Sequence, residues 1–498
     1  MTEKVTNYKS IFKATSIFGG VQIFNILITL IRGKAVAILI GTVGMGLNGL
    51  FMSGLNLIKA ISSLGIAESA VRDIAKAHAT DDGAKMSLTF TVFKRWIWIT
   101  AVLGIVITIC FSPLLSWFSF NSYEHTIDYI LLSITFIFGA LSGGIYTLLR
   151  GTRQLKYLAQ ANIFGGVIGL VVALPIFFFF GVKGVVPSII ITAFANYLVS
   201  LYFKKRINFV PVTIGWRETL ELGKPMVKLG VSLTLINLLA AFVAFALSTF
   251  ISKTGSLSDV GLYTAGLAIV DGYVGMVFTA MAADYFPRLS AVIGDELKWK
   301  QLVNEQAELV LIILGVVLVL LISTTPVLIS VLLSREFLSA QDFIFWAVLS
   351  IPIKGLVWVL GFILLAKGNN KLFLIVEVCS NLLLLILNLV LYKFYGINGL
   401  GISMLVSYSV FIIVMLIILK LNYEFKFDTE VFILLLKVML SLSLCLISIY
   451  WLGYPNAYFV EAIIVITTLY YCLHELNKRM NLKEMIHNLK SKFVIWKR

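Results

Sequence analysis

The sequence predicts an all-α, polytopic membrane protein with about 14 transmembrane helices. Of its 498 residues, 59% are hydrophobic and only 13% are charged, and the mean hydropathy is +0.97. A membrane-spanning helix requires about 20 consecutive apolar residues, and such runs follow one another almost from end to end of the chain. Because no soluble fold needs so much apolar surface, this composition excludes soluble domains, disordered chains, coiled coils and disulfide-rich secreted scaffolds.

Short loops separate the apolar windows, which leaves no room for a folded domain outside the membrane. The spans are predicted to begin near Ile11, Ala35, Trp96, Ile127, Leu158, Gly184, Leu229, Val260, Leu309, Phe343, Leu372, Ile397, Val431 and Ala457. Most of the 40 lysine and arginine residues fall in loops on the side that carries both chain ends. The net charge of +15 therefore indicates cytoplasmic termini and membrane orientation, and it does not indicate nucleic-acid binding.

Three short motifs recur in the same order, which indicates an internal repeat. The pairs are Val43-Gly44 with Val260-Gly261, Arg150-Gly151 with Lys367-Gly368, and Gly181-Val182-Lys183-Gly184 with Gly396-Ile397-Asn398-Gly399. They predict two six-helix lobes, followed by two more helices and a basic cytoplasmic tail, with boundaries at 1–210, 211–425, 426–476 and 477–498. An even number of spans gives both lobes the same orientation and places a central cavity between them.

Polar and charged residues inside apolar spans are the candidate binding residues, because a charge at mid-span costs roughly 2.5–3.5 kcal/mol on insertion scales. Asn48, Asn56 and Lys59 share one stripe of the second helix at 100° per residue. Arg32, at the outer end of the first hairpin, is either an exposed turn or the rim of an anion path. Lys13, a few residues inside the first span, either snorkels to headgroups or lines the cavity.

The second half of the chain carries a similar set. Lys354 follows Pro352, a proline that favours a kink in the tenth span. Asp271 in the eighth span and Glu377 in the eleventh either line a polar cavity or are structural partners of a buried cation. Glu461, near the start of the last span, is predicted to lie at the membrane interface.

Motifs for catalysis and cofactor binding are missing from the sequence. There is no Walker P-loop and no His-Glu-x-x-His, and the four cysteines lie in apolar segments at unrelated spacings. The sequence therefore predicts neither an enzyme nor a metal or cofactor site. Transport needs only differential binding in two conformations.

The second-helix region resembles a known family. Gly41-Thr42-Val43-Gly44-Met45-Gly46, continuing to Ser69-Ala70-Val71-Arg72, is similar to the polysaccharide transporter branch of the multidrug/oligosaccharidyl-lipid/polysaccharide (MOP) flippase superfamily. Within that branch the chain most resembles the Wzx flippases for O-antigen repeat units. Many members carry a proline after the first glycine of the motif, where this chain has Thr42.

The resemblance implies a V-shaped bundle that opens alternately to the cytoplasm and the periplasm of a bacterial inner membrane. Its substrate would be an undecaprenyl-pyrophosphate-linked oligosaccharide within the membrane lipids, and a polysaccharide polymerase and a chain-length regulator would be its partners. The diphosphate would bind Lys59, Lys354, Arg72 and Lys13, with Arg32, Asn48 and Asn56 alongside. Asp271 and Glu377 would couple transport to protons or sodium.

Three other functions stay open at this point. Two belong to the same superfamily: a cation-coupled multidrug exporter, against which the basic residues argue mildly, and a peptidoglycan-precursor flippase. The third is a membrane-embedded polysaccharide polymerase, which usually carries a sizeable periplasmic loop that this chain does not offer. An ion channel is disfavoured, because it would need a symmetric ring of pore-lining residues, and one chain with two unequal lobes does not supply such a ring.

Overall fold

The computed structural model describes the backbone of residues 2–79, 82–205 and 212–480. Side chains are described from residue 28 onward within these ranges, apart from Tyr273, Met276, Ala283 and Met480. All regular elements there are helical, which confirms the predicted all-α class. The helices are α1 (Thr2–Ser62), α2 (Ile66–Ala79), α3 (Gly83–Phe120), α4 (Thr126–Leu132), α5 (Thr135–Gly151), α6 (Leu155–Phe180), α7 (Val185–Lys204), α8 (Trp216–Thr254), α9 (Leu257–Val292), α10 (Glu296–Leu332), α11 (Gln341–Ala366), α12 (Asn370–Tyr395), α13 (Ile397–Tyr423), α14 (Thr429–Leu452) and α15 (Ala457–Met480), with 3₁₀ turns at Gly181–Gly184 and Arg335–Ala340.

Among the described residues, 11 helices are long and apolar enough to cross a membrane, or 12 when the bent helix α9 counts as one span. Two features explain the difference from the predicted 14. The segment Leu155–Lys204 is counted once, although the Gly181–Gly184 turn divides it into α6 and α7. The predicted span near Ile11 lies where side chains are not described.

The first compact unit comprises Met1–Thr264 and Val331–Glu336. In it α8 packs on α1, α2 and α3. Helix α1 continues through Arg32 and is interrupted only at Gly41, where φ is 64° and ψ is −165°. The predicted hairpin end at Arg32 is therefore wrong: the break falls at Gly41, because glycine tolerates positive φ without the Cβ clash of other residues.

Two glycines bring α1 and the start of α9 into backbone contact within the first unit. A Cβ on Gly46 would lie 1.8 Å from the carbonyl oxygen of Leu257, and one on Gly261 would lie 2.0 Å from that of Thr42. The Thr42 hydroxyl also bonds the Ser258 hydroxyl at 2.9 Å. The crossing is reciprocal, and close packing explains why glycine occupies positions 46 and 261.

The second compact unit comprises Ala265–Ser330 and Phe337–Arg498. Its core lies along α10 and α11, with Trp299, Phe343 and Phe345 fully buried. Both α14 and α15 reach α10 at Gly315: a Cβ there would lie 3.0 Å from Val438 and 3.4 Å from Cys472.

Local backbone conformations recur 215 residues apart. Helices α6 and α12 are both 26 residues long. Each ends at a glycine of positive φ: Gly181 at 53° and Gly396 at 57°. Each is preceded by the same hydrogen bond, from Gln154 N to Leu149 O in one case and from Asn369 N to Leu364 O in the other. The predicted lobe boundaries at residues 210 and 425 stay predictions, because packing units and sequence repeats divide a chain by different criteria.

Candidate functional site

Lys59 lies in the last turn of α1, directly before a break in the helical path. The chain turns at Ser63, Leu64 and Gly65 before α2 begins. Both Leu64 (φ 49°) and Gly65 (φ 61°) adopt positive φ. The Lys59 side chain is exposed, and no ion pair or side-chain hydrogen bond to it is found among the described residues. The helix break therefore presents a free ammonium group.

The break is held tightly against α8. A Cβ on Gly65 would lie 2.1 Å from the carbonyl oxygen of Gly230, and a Cβ on Gly230 would lie 2.4 Å from that of Leu64. The two backbones touch directly, so neither position has room for a side chain. The break falls at the end of the candidate span Ile28–Ser62, where α1 is followed by the short, charged helix α2.

The polar stripe of α1 lies on the side away from the core of the first unit. Asn56 is exposed, as Lys59 is, and Asn48 is half-buried. On the same helix Phe51, Leu55 and Ile58 are buried in the hydrophobic core. Asn56 can therefore assist Lys59 in binding a ligand.

Lys354 and Asp271, predicted separately, are brought together in the second unit. The Lys354 Nζ lies 4.0 Å from the Asp271 Oδ1 and 5.8 Å from the centroid of the Tyr408 ring. Their side chains are 31% and 64% exposed. At this distance and exposure the pair contributes little to stability. The Asp271 carboxylate nevertheless offsets the positive charge of Lys354, as expected if Asp271 is the structural partner of a cation.

Asp271 also lies next to a bend. Helix α9 changes direction by 42° between Leu257–Gly272 and Val277–Val292. Added Cβ atoms on Gly272 or Gly275 would meet no atom within 4 Å, so these two glycines face open space, while Val270 and Val274 of the same turns are buried.

Glu377 lies apart from the Lys354–Asp271 pair. It is half-buried, and Asn381 Nδ2 donates to its backbone oxygen at 2.8 Å and to its Oε2 at 3.5 Å. Asn388, further along the same stripe, is buried and accepts a hydrogen bond from Ser403. The stripe predicted on α12 thus consists of local amide contacts, and none of its described partners is a cation.

The other predicted cations lie elsewhere. Arg72 is exposed on α2 and pairs with its neighbour Asp73 at 3.2 Å. Arg32 is half-buried on α1, before the Gly41 break. The Lys13 side chain lies outside the described residues.

Two features of the last helix were missed by the sequence predictions. Glu461, predicted at the membrane interface, is only 1% exposed. Arg479 joins Glu308 of α10 to Glu475 of α15 in a largely buried ion network. The only sequence signal for Glu461 was its spacing from Ala457, Thr468 and Cys472, all buried on one face of α15. No group of three or more His, Cys, Asp or Glu residues able to hold a metal occurs in the described part of the chain.

Solved structures of similar fold are known for a transporter and a flippase. An inward-facing multidrug resistance MATE family transporter of the MOP superfamily superposes with a TM-score of 0.67, at 16% identity over 80% of this chain and 94% of that one. The lipid II flippase MurJ, in an inward closed conformation, superposes with a TM-score of 0.62. The two sequences are 15% identical, and the match covers 94% of this chain and 99% of that one. The fold is that of MOP superfamily transporters, as the resemblance in the second helix predicted.

Sequence comparison then gives the family. A model of the family described as polysaccharide biosynthesis protein matches residues 35–342, more than half of the chain, and the chain belongs to that family. The lipid III flippase of Escherichia coli (strain K12) is 19% identical over 393 residues, covering 77% of this chain and 91% of that protein. The lipid III flippase of Shigella flexneri matches to the same extent.

Proposed function

We propose that this protein is a bacterial inner-membrane flippase for an undecaprenyl-pyrophosphate-linked oligosaccharide of the O-antigen type. It moves the glycolipid from the cytoplasmic to the periplasmic leaflet by alternating access, with both termini in the cytoplasm. Support comes from membership of the polysaccharide biosynthesis family and from similarity to a protein named lipid III flippase. The observation that carries the proposal is the exposed, unpaired Lys59 at the α1–α2 break.

A free ammonium within an apolar span requires water or an anion, because hydrocarbon does not solvate it. Lys59 has no carboxylate partner among the described side chains, which leaves its ammonium group available to an anionic ligand. A diphosphate supplies two or more negative charges and several acceptor oxygens, which form short, charge-assisted hydrogen bonds with lysine. Asn56, on the same exposed stripe, donates its amide to a sugar or phosphate oxygen.

Lys354 provides a second, conditional anion site. Its ammonium is free for a phosphate only when Asp271 releases it, which happens when Asp271 takes up a proton or a sodium ion. This exchange gives Asp271 the coupling role, since cation uptake and anion binding favour each other. Glu377 belongs to the same proposed coupling system, while Arg72, Lys13 and Arg32 bind the headgroup on its way in or out. A polymerase and a chain-length regulator act on the product.

The experiment is performed in the native host. The gene is deleted, and surface polysaccharide and the sidedness of undecaprenyl-linked repeat units are measured together. We expect the surface glycan to disappear and intact units to accumulate on the cytoplasmic leaflet. Wild type and Lys426→Gln, a matched change in the exposed α13–α14 loop, restore the glycan, whereas Lys59→Gln does not. Unpolymerised units on the periplasmic leaflet would instead contradict a flippase and indicate a polymerase.

A cation-coupled multidrug exporter is the second candidate, favoured by the TM-score of 0.67 against a multidrug transporter. Its cavity would attract cationic drugs, so Asp271 would be its principal ligand and Lys59 would hinder binding. A deletion strain with normal glycan and increased sensitivity to cationic dyes would establish this function. A lethal deletion with arrested cell-wall synthesis would instead favour a peptidoglycan-precursor flippase, the function named for the second structural neighbour.

A further inference from the structure

A buried carboxyl lies one turn inside the last helix, away from the residues assigned to substrate or coupling. Glu461 is 1% exposed, and both of its carboxyl oxygens are buried without a hydrogen-bond partner. It is the fifth residue of α15, which begins at Ala457. At 1.5 Å per residue, the Glu461 Cα is about 6 Å along the axis from the helix start. The carboxyl is therefore dry but close to the turn that joins α14 to α15.

The groups around this carboxyl are uncharged. Tyr454 in the turn, Tyr458 on α15 and Cys445 on α14 are within electrostatic range of Glu461. The Tyr454 hydroxyl is also buried without a partner. The Cys445 thiol lies 4.0 Å from the hydroxyl of Ser323 on α10. Among the described residues, no lysine, arginine or histidine nitrogen lies within 4.0 Å of the Glu461 carboxyl oxygens.

An ionised carboxylate in this position would be a buried charge with neither a counterion nor a hydrogen bond. That arrangement is among the least favourable in a protein interior, and such a group is neutralised instead. A proton on Glu461 removes the charge and also adds an O–H donor. The neutral acid is therefore far less costly to bury than the ionised carboxylate.

We propose that Glu461 is a proton-binding site of the α14–α15 pair. It holds the proton as a neutral acid while these helices are packed as observed, and it exchanges the proton with water through the Gly453–Asn456 turn. The site is separate from the Lys354–Asp271 pair and does not depend on the identity of the substrate. It gives the last two helices, which lie outside the repeated part of the chain, a chemical role.

A metal cation fits the same position less well. Hard cations take six or more oxygen ligands in most protein sites. Among the described residues, Glu461 belongs to no group of three or more His, Cys, Asp or Glu residues that could hold a metal ion.

The test uses dicyclohexylcarbodiimide, an apolar reagent that selects protonated carboxyl groups in apolar surroundings. The acid O–H adds across one C=N bond to give an O-acylisourea, and acyl migration to nitrogen gives a stable N-acylurea that retains every atom of both reactants. Purified full-length protein in lipid vesicles is labelled at a series of pH values from ~5 to ~10. This range covers the pH values at which buried carboxyl groups lose their proton. Peptide mass spectrometry locates and quantifies the adduct.

We expect an adduct on Glu461 at low pH that falls by at least about tenfold across the series, since ionisation removes the reactive form. Glu430, exposed in the first turn of α14, is the control within the same chain and stays unlabelled. Glu461→Gln removes the adduct and confirms its location. An unlabelled Glu461, or equal labelling at every pH, would overturn the proposal. Suppression of labelling by sodium chloride but not by choline chloride would also overturn it, because it would show a metal-cation site. None of these outcomes depends on transport, so the flippase assignment is tested separately.

Discussion

Two lysines in apolar helices, Lys59 in the first unit and Lys354 in the second, have opposite surroundings. Lys59 is exposed beside a tightly held helix break and has no anionic partner among the described residues. Lys354 is 31% exposed and lies 4.0 Å from Asp271, next to the bend of α9. The Lys59 ammonium group is always available to an anion. The Lys354 ammonium group is available only when the Asp271 carboxylate is neutralised.

This difference separates binding from coupling. A permanently free cation raises affinity for a diphosphate in every state of the transporter, which alone moves nothing. A cation whose partner can be protonated changes its affinity with the ion gradient, as coupled transport requires. The proposed function therefore needs both lysines, and each of the following predictions strengthens or removes the contrast between them.

The largest effect is expected at Lys59. Lys59→Gln should lower the transport rate about 100-fold, equivalent to ~2.7 kcal/mol, because the diphosphate loses the one proposed cation that does not depend on release by a carboxylate. Lys59→Arg keeps the charge and should retain most of the activity. The rate of glycolipid flipping in proteoliposomes measures both. Equal activity of the Gln and Arg variants would show that the charge plays no part.

The next effect concerns stability and compares the two helix irregularities. Gly65→Ala should destabilise the protein by about 2–4 kcal/mol, because it combines a positive φ with a Cβ 2.1 Å from the Gly230 carbonyl oxygen. Gly275→Ala, at the α9 bend, meets no atom within 4 Å and should be tolerated. Thermal unfolding in detergent measures the two variants side by side. A Gly65→Ala protein as stable as wild type would show that position 65 can accommodate a Cβ as easily as position 275.

A smaller effect is expected from the Lys354–Asp271 pair. Lys354→Gln should reduce transport about tenfold, or ~1.4 kcal/mol. Asp271→Asn should leave glycolipid binding intact and abolish the dependence of transport on the proton or sodium gradient. In the double variant the two effects should be non-additive, since the residues are in contact. Strict additivity in this cycle would show that the 4.0 Å contact is without functional consequence.

Much of the fold, but little of the site, could be predicted from the sequence. Apolar run lengths predict an all-helical membrane protein, because the bilayer imposes one length and one type of hydrogen bonding on each span. The repeat was visible through glycines such as Gly181 and Gly396, whose positive φ no other residue adopts as easily. These are local properties, and local properties are encoded within a few residues.

Tertiary proximity was not encoded in that way. Nothing in the spacing of Asp271 and Lys354, which lie on different helices, predicts that their side chains are 4.0 Å apart. Glu461 was predicted at the interface because it lies near the start of a span, yet helix rotation turns it into the core of the second unit. The prediction of a turn at Arg32 was wrong for a related reason. The short polar segment around Arg32 does not interrupt the helix, whereas Gly41 does.

The smallest effect is expected at Thr42, on the same helix as Lys59. Thr42 directly follows the Gly41 break, where proline at the first helical position is accommodated. Thr42→Pro loses the hydrogen bond to Ser258, worth about 0.5–1.5 kcal/mol, and gains about 0.4–1 kcal/mol from a stiffer unfolded chain. We therefore expect nearly unchanged thermal stability and transport. Because this change alters the backbone of α1 without touching its charge, an active Thr42→Pro protein beside an inactive Lys59→Gln protein would assign the function of that helix to the ammonium group. A large loss of transport in Thr42→Pro would instead place it in the α1–α9 crossing, where Gly46 and Gly261 leave no space for adjustment.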